Sequence, residues 1–164
     1  MTDASKSKGS IAGGLSSGLL ESLASDALDR VASKRPTTDL HFDQDWVVLL
    51  SQAVCDPHPS GVQAVVKDML SRGFSPLTVA NDYCAEAARY LGEGWCDDSR
   101  TFGQVSIGTS RLQSLVRELY EIAPSPYKSK DQSIALIVRS NEQHTFGPVL
   151  LSQQLRHLGY SVWL

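Results

Sequence analysis

The hydrophobic period of this chain changes once, around residues 123–130, and that change constrains its architecture. Before this segment, apolar residues recur at steps of three and four, which is the spacing of amphipathic helices. After it, residues 133–138 form a short apolar, β-branched run that is typical of a buried parallel strand. The sequence therefore predicts a mostly α protein in which a helical bundle precedes the beginning of an α/β unit.

Four helices are predicted within residues 41–123. They cover residues 43–54, 60–71, 75–90 and 101–122, and Gly92 and Gly94 indicate a break after the third helix. In the third helix, a serine cap is followed by a proline at the first helical position. Short connections between such helices favour an antiparallel four-helix bundle.

Residues 132–164 have the pattern of a strand, a loop, a helix and a second strand. Gly147 and Pro148 open the predicted helix, Gly159 ends it, and residues 160–164 form the second strand. This order predicts a Rossmann-like βαβ unit with a right-handed crossover. Two strands leave open edges and uncovered faces, so we expect an incomplete α/β domain that is truncated at the end of this chain.

The N-terminal region differs from both of these parts. Residues 1–14 are rich in Ser, Gly and Lys, and we expect them to be disordered. Residues 15–31 carry apolar positions at helical spacing, and a polar linker follows up to residue 40. This amphipathic helix either packs on its own domain or docks into a groove of a partner.

Composition excludes several classes of protein. With 15 Lys and Arg against 18 Asp and Glu, the net charge is −3, and no basic cluster predicts direct binding to nucleic acid. The apolar runs are too short to cross a membrane, and no apolar secretory signal is present, so we expect a cytoplasmic protein. Cys55, Cys84 and Cys96 are odd in number and irregularly spaced, which predicts small buried side chains rather than disulfides or a zinc site.

The loop after the first predicted strand contains the residues best suited to chemistry. Ligands of open α/β sheets bind at the carboxyl ends of strands, where His144 would lie. Glu142 can accept a hydrogen bond from one imidazole nitrogen and so orient the other for a metal. Gly147 leaves room for a bulky group. Each residue also has an ordinary interpretation: a surface histidine, a solvated loop charge and a helix cap.

The spacing Glu142-x-His144-x-x-Gly147 resembles the Asp-x-His-x-x-Gly signature of cobalamin-binding domains, with Glu in place of Asp. Residues 144–147 and 155–162 together look like the first helix and second strand of such domains.

The resemblance extends upstream of the loop. Residues 91–98 and 111–113 are similar to the helical cap that precedes the cobalamin domain in B12-dependent regulators. The family that the chain resembles most is the AerR/PpaA type of photosynthesis regulators, which lack a DNA-binding domain. The match covers residues 42–164, with both halves in the expected order.

This resemblance implies cobalamin as the cofactor and gives each motif residue a role. His144 would be the lower axial ligand of cobalt, Glu142 would orient it, and Gly147 would admit the nucleotide tail. Thr145 and Phe146 belong to the same cofactor-binding segment. Trp95, on the connection between cap helices, would cover the upper corrin face, or would be an ordinary core tryptophan.

Two departures from the family pattern limit what the resemblance implies. Light-sensing relatives that use adenosylcobalamin carry Glu-His ten residues after the tryptophan, where this chain has Val105 and Ser106. An upper-face histidine switch is therefore not expected. The motifs that enclose the nucleotide tail would follow Leu164, so we expect this chain to bind cobalamin weakly.

The resemblance implies a regulator rather than an enzyme. Cobalamin, with or without light, would change the surface that the protein offers to a transcriptional repressor, which is an antirepressor-like function. Two alternatives remain open at this point: a corrinoid methyl-carrier protein of a methyltransferase system, and an interaction module without a cofactor. The oligomeric state is not predicted.

Overall fold

The first helices begin where side chains can cap them. The computed structural model describes residues 43–58, 60–140, 142 and 145–164. An Asp43 carboxylate oxygen accepts the Asp45 N–H at 3.2 Å and caps helix α1 (Gln44–Cys55). Helix α2 covers Ser60–Ser71. The structure confirms both predicted helices, whereas the predicted N-terminal segments 1–14 and 15–40 lie outside the described residues.

The third predicted helix also begins as expected, because the Ser75 hydroxyl accepts the Thr78 N–H at 3.0 Å. Its course is less regular than predicted. Helix α3 (Pro76–Thr78) leads into a π-helical turn at Val79–Tyr83, and helix α4 (Cys84–Cys96) follows without a break. A π turn of this kind places one extra residue in the helix.

The predicted break at Gly92 and Gly94 is wrong, since α4 continues past both glycines. Arg89 forms ion pairs with Glu86 and Glu93 along the same helix and so holds together the turn that contains Gly92. The helix ends at Cys96, and Asp98, two residues later, adopts a left-handed φ of 60°.

Helix α5 (Phe102–Ile122) is the longest of the described helices and has the predicted start. Thr101 and Gln104 form a reciprocal capping box, in which each side chain accepts the other residue's backbone N–H. Arg111, further along the helix, donates a hydrogen bond to the Val54 carbonyl at 3.0 Å and another to the Asp56 carbonyl. Its guanidinium therefore caps the C-terminal end of α1.

The bundle encloses an apolar core to which α1, α2, α4, α5 and the π-helical turn all contribute. Within residues 60–120 as described, no strand interrupts the helices, as predicted. The fully buried large apolar side chains of this core are Leu50, Met69, Leu91, Leu112, Leu119, Val47, Val54, Val79 and Val116.

The second part has the predicted strand–helix–strand order. Strand β1 (Ser133–Ala135) pairs in parallel with strand β2 (Ser161–Trp163), and helix α6 (Phe146–His157) connects them. Both strands are shorter than the predicted runs 133–138 and 160–164. Pairing ends with a hydrogen bond from the Leu136 N–H to the Trp163 carbonyl at 2.8 Å, so the rest of the apolar run after β1 is not part of the ladder.

Helix α6 packs against α5, so the two parts share an interface. The Asn81 side-chain oxygen accepts hydrogen bonds from Tyr120 at 2.6 Å and from Gln154 at 2.9 Å. Asn81 lies in the π-helical turn, Tyr120 in α5 and Gln154 in α6. The described residues belong to one compact unit, His41–Leu164, and the protein is mostly α-helical.

Candidate functional site

A cavity of about 470 Å³ opens between α4, α5 and the first turn of α6. Its volume lies within the range of about 300–1,000 Å³ that is usual for small-molecule sites. The residues that line it are Ala88, Gly92, Trp95, Phe102, Val105, Ser106, Thr109, Ser110, Gln113, Thr145, Phe146 and Gly147. None of these described lining residues has a charged side chain, so the walls that they form suit an uncharged part of a ligand.

One wall of the cavity is aromatic. The rings of Trp95 and Phe102 meet edge to face with centroids 6.2 Å apart. Although both side chains are large and apolar, Trp95 is 48% exposed and Phe102 is 63% exposed. Phe146 contributes a partly buried ring from the first residue of α6. Exposed aromatic surface that borders a cavity is characteristic of a binding site rather than of a core.

The wall formed by α5 is polar. Ser106, Thr109, Ser110 and Gln113 follow one another at steps of three, one and three residues, which places them on one face of the helix. Gln113 extends from this wall to the start of α6, where its side-chain N–H donates to the Thr145 hydroxyl at 2.9 Å. The cavity therefore offers hydroxyl and amide groups opposite its aromatic surface.

The structure brings together several of the residues predicted from the sequence. Trp95, Thr145, Phe146 and Gly147 all line the cavity, although 49 residues of chain lie between Trp95 and Thr145. A Cβ atom added to Gly147 would meet nothing within 4 Å, so the backbone there faces open space. Trp95 lies in the last turn of α4, so the predictions of a connecting segment or of an ordinary core tryptophan are wrong.

The remaining two predicted residues belong to the loop before α6. Glu142 is exposed, and its backbone N–H donates to the Arg139 carbonyl at 2.9 Å. His144 lies outside the described residues, so its predicted role as a cobalt ligand stays a prediction. Its neighbour Thr145 borders the cavity.

Sequence reasoning missed Phe102 and Gln113 as site residues. The apolar pattern of residues 101–122 predicts Phe102 on the packed face of the bundle, but the ring is largely exposed and borders the cavity. A signal for Gln113 was present, because Ser106, Ser110 and Gln113 form a polar row at helical spacing beside the apolar face.

The cysteines differ in their surroundings, and the prediction that all three are buried is only partly right. Cys84 is buried in the bundle, and burial raises the pKa of its thiol well above the ordinary value. Cys55 is half-buried and Cys96 is exposed at the end of α4. Within residues 43–58, 60–140, 142 and 145–164, no three His, Cys, Asp or Glu side chains form a group that could hold a metal ion.

Comparison with known proteins gives one informative similarity. No family model matches the chain. Over 86 residues, the chain is 40% identical to a protein of Rhodobacter capsulatus described as an uncharacterized 20.5 kDa protein in the bchF-crtJ intergenic region. The aligned part covers 51% of this chain and 45% of that relative, so the match spans less than half of the relative's length. Among the described helices, none is long and apolar enough to cross a membrane.

Proposed function

We propose that the cavity binds cobalamin and that the protein is a cobalamin-responsive regulator, which acts on a transcriptional repressor through protein–protein contact. The observation that carries the proposal is that Trp95 borders the same cavity as Thr145, Phe146 and Gly147. These residues come from two distant motifs, each of which resembles part of a B12-dependent regulator. Their proximity is what a helical cap above a cobalamin-binding α/β domain requires.

The chemistry of the cavity suits a corrin ring. A corrin has two broad apolar faces and a rim of amide groups, and the cavity offers aromatic surface on one side and hydroxyl and amide groups on another. Trp95 and Phe102 would pack against a face of the ring, while the hydroxyl groups of Ser106, Thr109 and Ser110 on the α5 wall would meet its rim. A cavity of this volume takes part of the macrocycle, and the rest of the cofactor would extend beyond it.

Within this proposal, an imidazole nitrogen of His144 would hold the cobalt that the cofactor carries in its ring. A separate metal-binding cluster is therefore unnecessary. Glu142 would hold the other imidazole nitrogen, and Gly147 would allow the nucleotide tail to pass close to the backbone. Ser106 lines the cavity at the sequence position where light-sensing relatives carry a histidine, so this position would supply no imidazole to the cofactor.

The architecture and the similar protein are compatible with this proposal. The helices α1–α5 would form the cap, and β1, α6 and β2 would form the opening of a Rossmann-like domain. The Rhodobacter capsulatus relative comes from the bchF-crtJ region, a photosynthesis gene cluster, which agrees loosely with an AerR/PpaA-type regulator. Its description names neither a ligand nor a partner.

Regulation would follow from the two-sided construction of the cavity. A ligand that contacts α4, α5 and the first turn of α6 together stabilises one arrangement of these helices over others. The surface presented to a repressor would change with that arrangement. The effect can be no larger than the ligand's difference in affinity between the two arrangements.

The direct test is a titration of the 164-residue chain with hydroxocobalamin in the dark, followed by its visible absorbance spectrum. A titration detects weak binding that a desalting step would lose. We expect a saturable spectral change that indicates imidazole coordination in the wild-type protein and its loss in His144→Ala. The matched control is His58→Ala, because His58 is exposed on the loop after α1 and away from the cavity.

A second variant tests the orienting role of Glu142. Glu142→Gln should bind more weakly than wild type but better than His144→Ala, because second-shell changes reduce metal affinity about 10–100-fold. Equal binding by wild type and His144→Ala would show that the histidine is not a ligand. The absence of any saturable change in the wild-type protein would instead favour an interaction module without cofactor.

A further inference from the structure

Thr145 precedes the first residue of α6 but does not act as an ordinary helix cap. A threonine at this position usually has extended backbone angles, and its hydroxyl accepts a backbone N–H from the first helical turn. Here the backbone has φ −88° and ψ −7°, and the side chain makes no capping hydrogen bond. The stabilisation that a cap would give to α6 is therefore absent at this end of the helix.

The Thr145 hydroxyl instead accepts a hydrogen bond from the Gln113 side chain at 2.9 Å. Gln113 lies in α5, 32 residues earlier, and its side chain is half-buried on the polar wall of the cavity. This bond connects the bundle to the segment that immediately follows Glu142 and His144 in sequence. The position of that segment thus depends on a contact from the bundle rather than only on α6.

We propose that Gln113 is a positioning residue that holds Thr145, and with it the start of α6, against the bundle and thereby sets the affinity of the cavity for its ligand. This inference rests on the proposed cobalamin site. It adds a link that the cobalamin motif itself does not contain, because the hydrogen-bond donor lies in α5 of the bundle.

Two consequences separate a positioning role from direct contact with the ligand. If Gln113 acts through Thr145, removal of either partner releases the same end of α6, and the two losses do not add. If Gln113 contacts the ligand on its own, its loss and that of Thr145 add. A glutamate in place of Gln113 can still accept a hydrogen bond from the Thr145 hydroxyl, so this variant keeps the link with its direction reversed.

The experiment compares Gln113→Met, Thr145→Val, the double variant and Gln113→Glu by titration with hydroxocobalamin, using the whole chain. Met and Val keep the approximate size of the side chains they replace and remove the hydrogen bond. We expect each single variant and the double variant to bind about 10-fold more weakly than wild type, as for second-shell contacts at metal sites. Gln113→Glu should recover most of the affinity and the histidine-coordinated spectrum.

Ser114→Ala is the matched control, since Ser114 is exposed on the same helix and bonds only to the Ser110 carbonyl of that helix. Amide hydrogen exchange of the ligand-free variants supplies a readout that needs no cofactor. Faster exchange of the Val149 amide, which donates to the Thr145 carbonyl at 3.1 Å, with unchanged exchange in α1, is expected for Gln113→Met and Thr145→Val but not for Ser114→Ala.

Each outcome bears on a different statement. If wild type and Gln113→Met bind cobalamin equally, or if the single losses add, the positioning role is wrong while the proposed function stands. If wild type shows no saturable binding, the proposed function is wrong and the role of Gln113 in ligand affinity is wrong with it. Unchanged hydrogen exchange at the start of α6 in both Gln113→Met and Thr145→Val would show that the hydrogen bond between Gln113 and Thr145 does not hold this end of the helix.

Discussion

The helical bundle and the βαβ unit differ in how much apolar surface each encloses. The bundle has a continuous core to which four helices and the π-helical turn contribute fully buried side chains. In the βαβ unit, the described residues with buried side chains are Val149, Ser152 and Val162. The outer face of its two-stranded sheet, where Ala135 and Trp163 pair, is exposed to solvent.

Because of this difference, the bundle contributes most of the buried apolar surface, while the βαβ unit contributes the part of the candidate site that opens more easily. A region with few buried apolar contacts opens at a lower free-energy cost than one with a packed core. The candidate cavity takes two walls from the bundle and one from the first turn of α6. A rigid part and a more easily displaced part therefore meet at the site, which is the construction that a ligand-responsive regulator needs.

The largest effect is expected from the core of the bundle. Leu50 is fully buried in α1, and Leu50→Ala should lower the free energy of unfolding by about 2–5 kcal/mol, because the lost contacts leave a cavity. Its neighbour Leu49 is 44% exposed, and Leu49→Ala should cost less than about 1 kcal/mol. Urea unfolding monitored by circular dichroism measures both. Equal losses would contradict the burial difference between adjacent residues.

The next effect is expected at Gly159, where the βαβ unit contacts the segment of residues 123–130 that precedes it. Gly159 and Gly73 both have left-handed φ angles, of 92° and 94°. A Cβ at Gly159 would lie 2.2 Å from the Lys128 carbonyl oxygen, whereas one at Gly73 would meet nothing within 4 Å. Gly73→Ala should lower the free energy of unfolding by about 1–2 kcal/mol from backbone strain alone. Gly159→Ala should lower it more, because the backbone at Lys128 must also move.

Hydrogen exchange locates the damage in these two glycine variants. Gly159→Ala should accelerate exchange in β1 and β2 while α1 stays protected, since the bundle core does not depend on this turn. Gly73→Ala, between α2 and α3, should not affect the strands preferentially. Intact protection of both strands in Gly159→Ala would mean that the backbone relaxes without cost.

Sequence patterns predicted the elements of both regions but not the cavity between them. Periodicity and capping chemistry are local, so they placed α1, α2, α5 and α6 within a residue or two. The π-helical turn depends on contacts with other helices, which no local pattern expresses. The ion pairs that support α4 across Gly92 have i,i+3 and i,i+4 spacings that the sequence shows, but the prediction of a break rested on the two glycines alone. For the same reason, Trp95 was recognised as a motif residue but its position in the last turn of α4 was not.

The candidate site was predicted in part for a similar reason. Motif resemblance selected Thr145, Phe146 and Gly147, and the structure places them in the cavity. It included Gln113 only in the cap motif at residues 111–113, without a role in the site, and it did not select Phe102, because their contribution depends on how α5 is rotated relative to α6. Strand β1 ended earlier than predicted: Ile137, although apolar and β-branched, lies beyond the paired residues and is 93% exposed.

A smaller effect is expected at the hydrogen bonds that join the two regions. Tyr120→Phe removes the donor that Asn81 accepts at 2.6 Å, and it should lower the free energy of unfolding by about 0.5–1.5 kcal/mol. Gln154→Leu removes the other hydrogen bond to the same Asn81 oxygen. The free energy of unfolding that the double variant loses should differ from the sum of the two single losses, because both hydrogen bonds share one acceptor. Strict additivity would show that the two bonds act independently.

The same tyrosine predicts a pH dependence with a definite sign. Burial is the main cause that raises the pKa of Tyr120 above its ordinary value of 10.0. A raised pKa in the folded state means that its contribution to stability is fully present below pH 10.0 and is lost as the pH rises through the folded pKa. When the pH is raised from neutral to above 10.0, the free energy of unfolding of Tyr120→Phe should therefore fall less than that of wild type.

The smallest expected effect compares one buried serine from each region. The Ser51 hydroxyl in α1 is buried and has no hydrogen-bond partner among the described residues, which costs free energy in an apolar core. The Ser152 hydroxyl in α6 is equally buried but donates to the Val149 carbonyl at 2.7 Å. Ser51→Ala removes an unsatisfied group and places a better helix former in α1. We expect it to raise the free energy of unfolding by about 0.5–1 kcal/mol.

Ser152→Ala should be neutral or destabilising, because the substitution removes a hydrogen bond that is already made and leaves Arg156, which donates to the same hydroxyl at 3.4 Å, without that acceptor. The two substitutions delete the same atom from equally buried helical positions, so only the hydrogen-bonding state of the hydroxyl differs between them. Urea unfolding of both variants beside wild type measures the difference in sign. Stabilisation by both would mean that helix propensity, not hydrogen bonding, determines the result in each region.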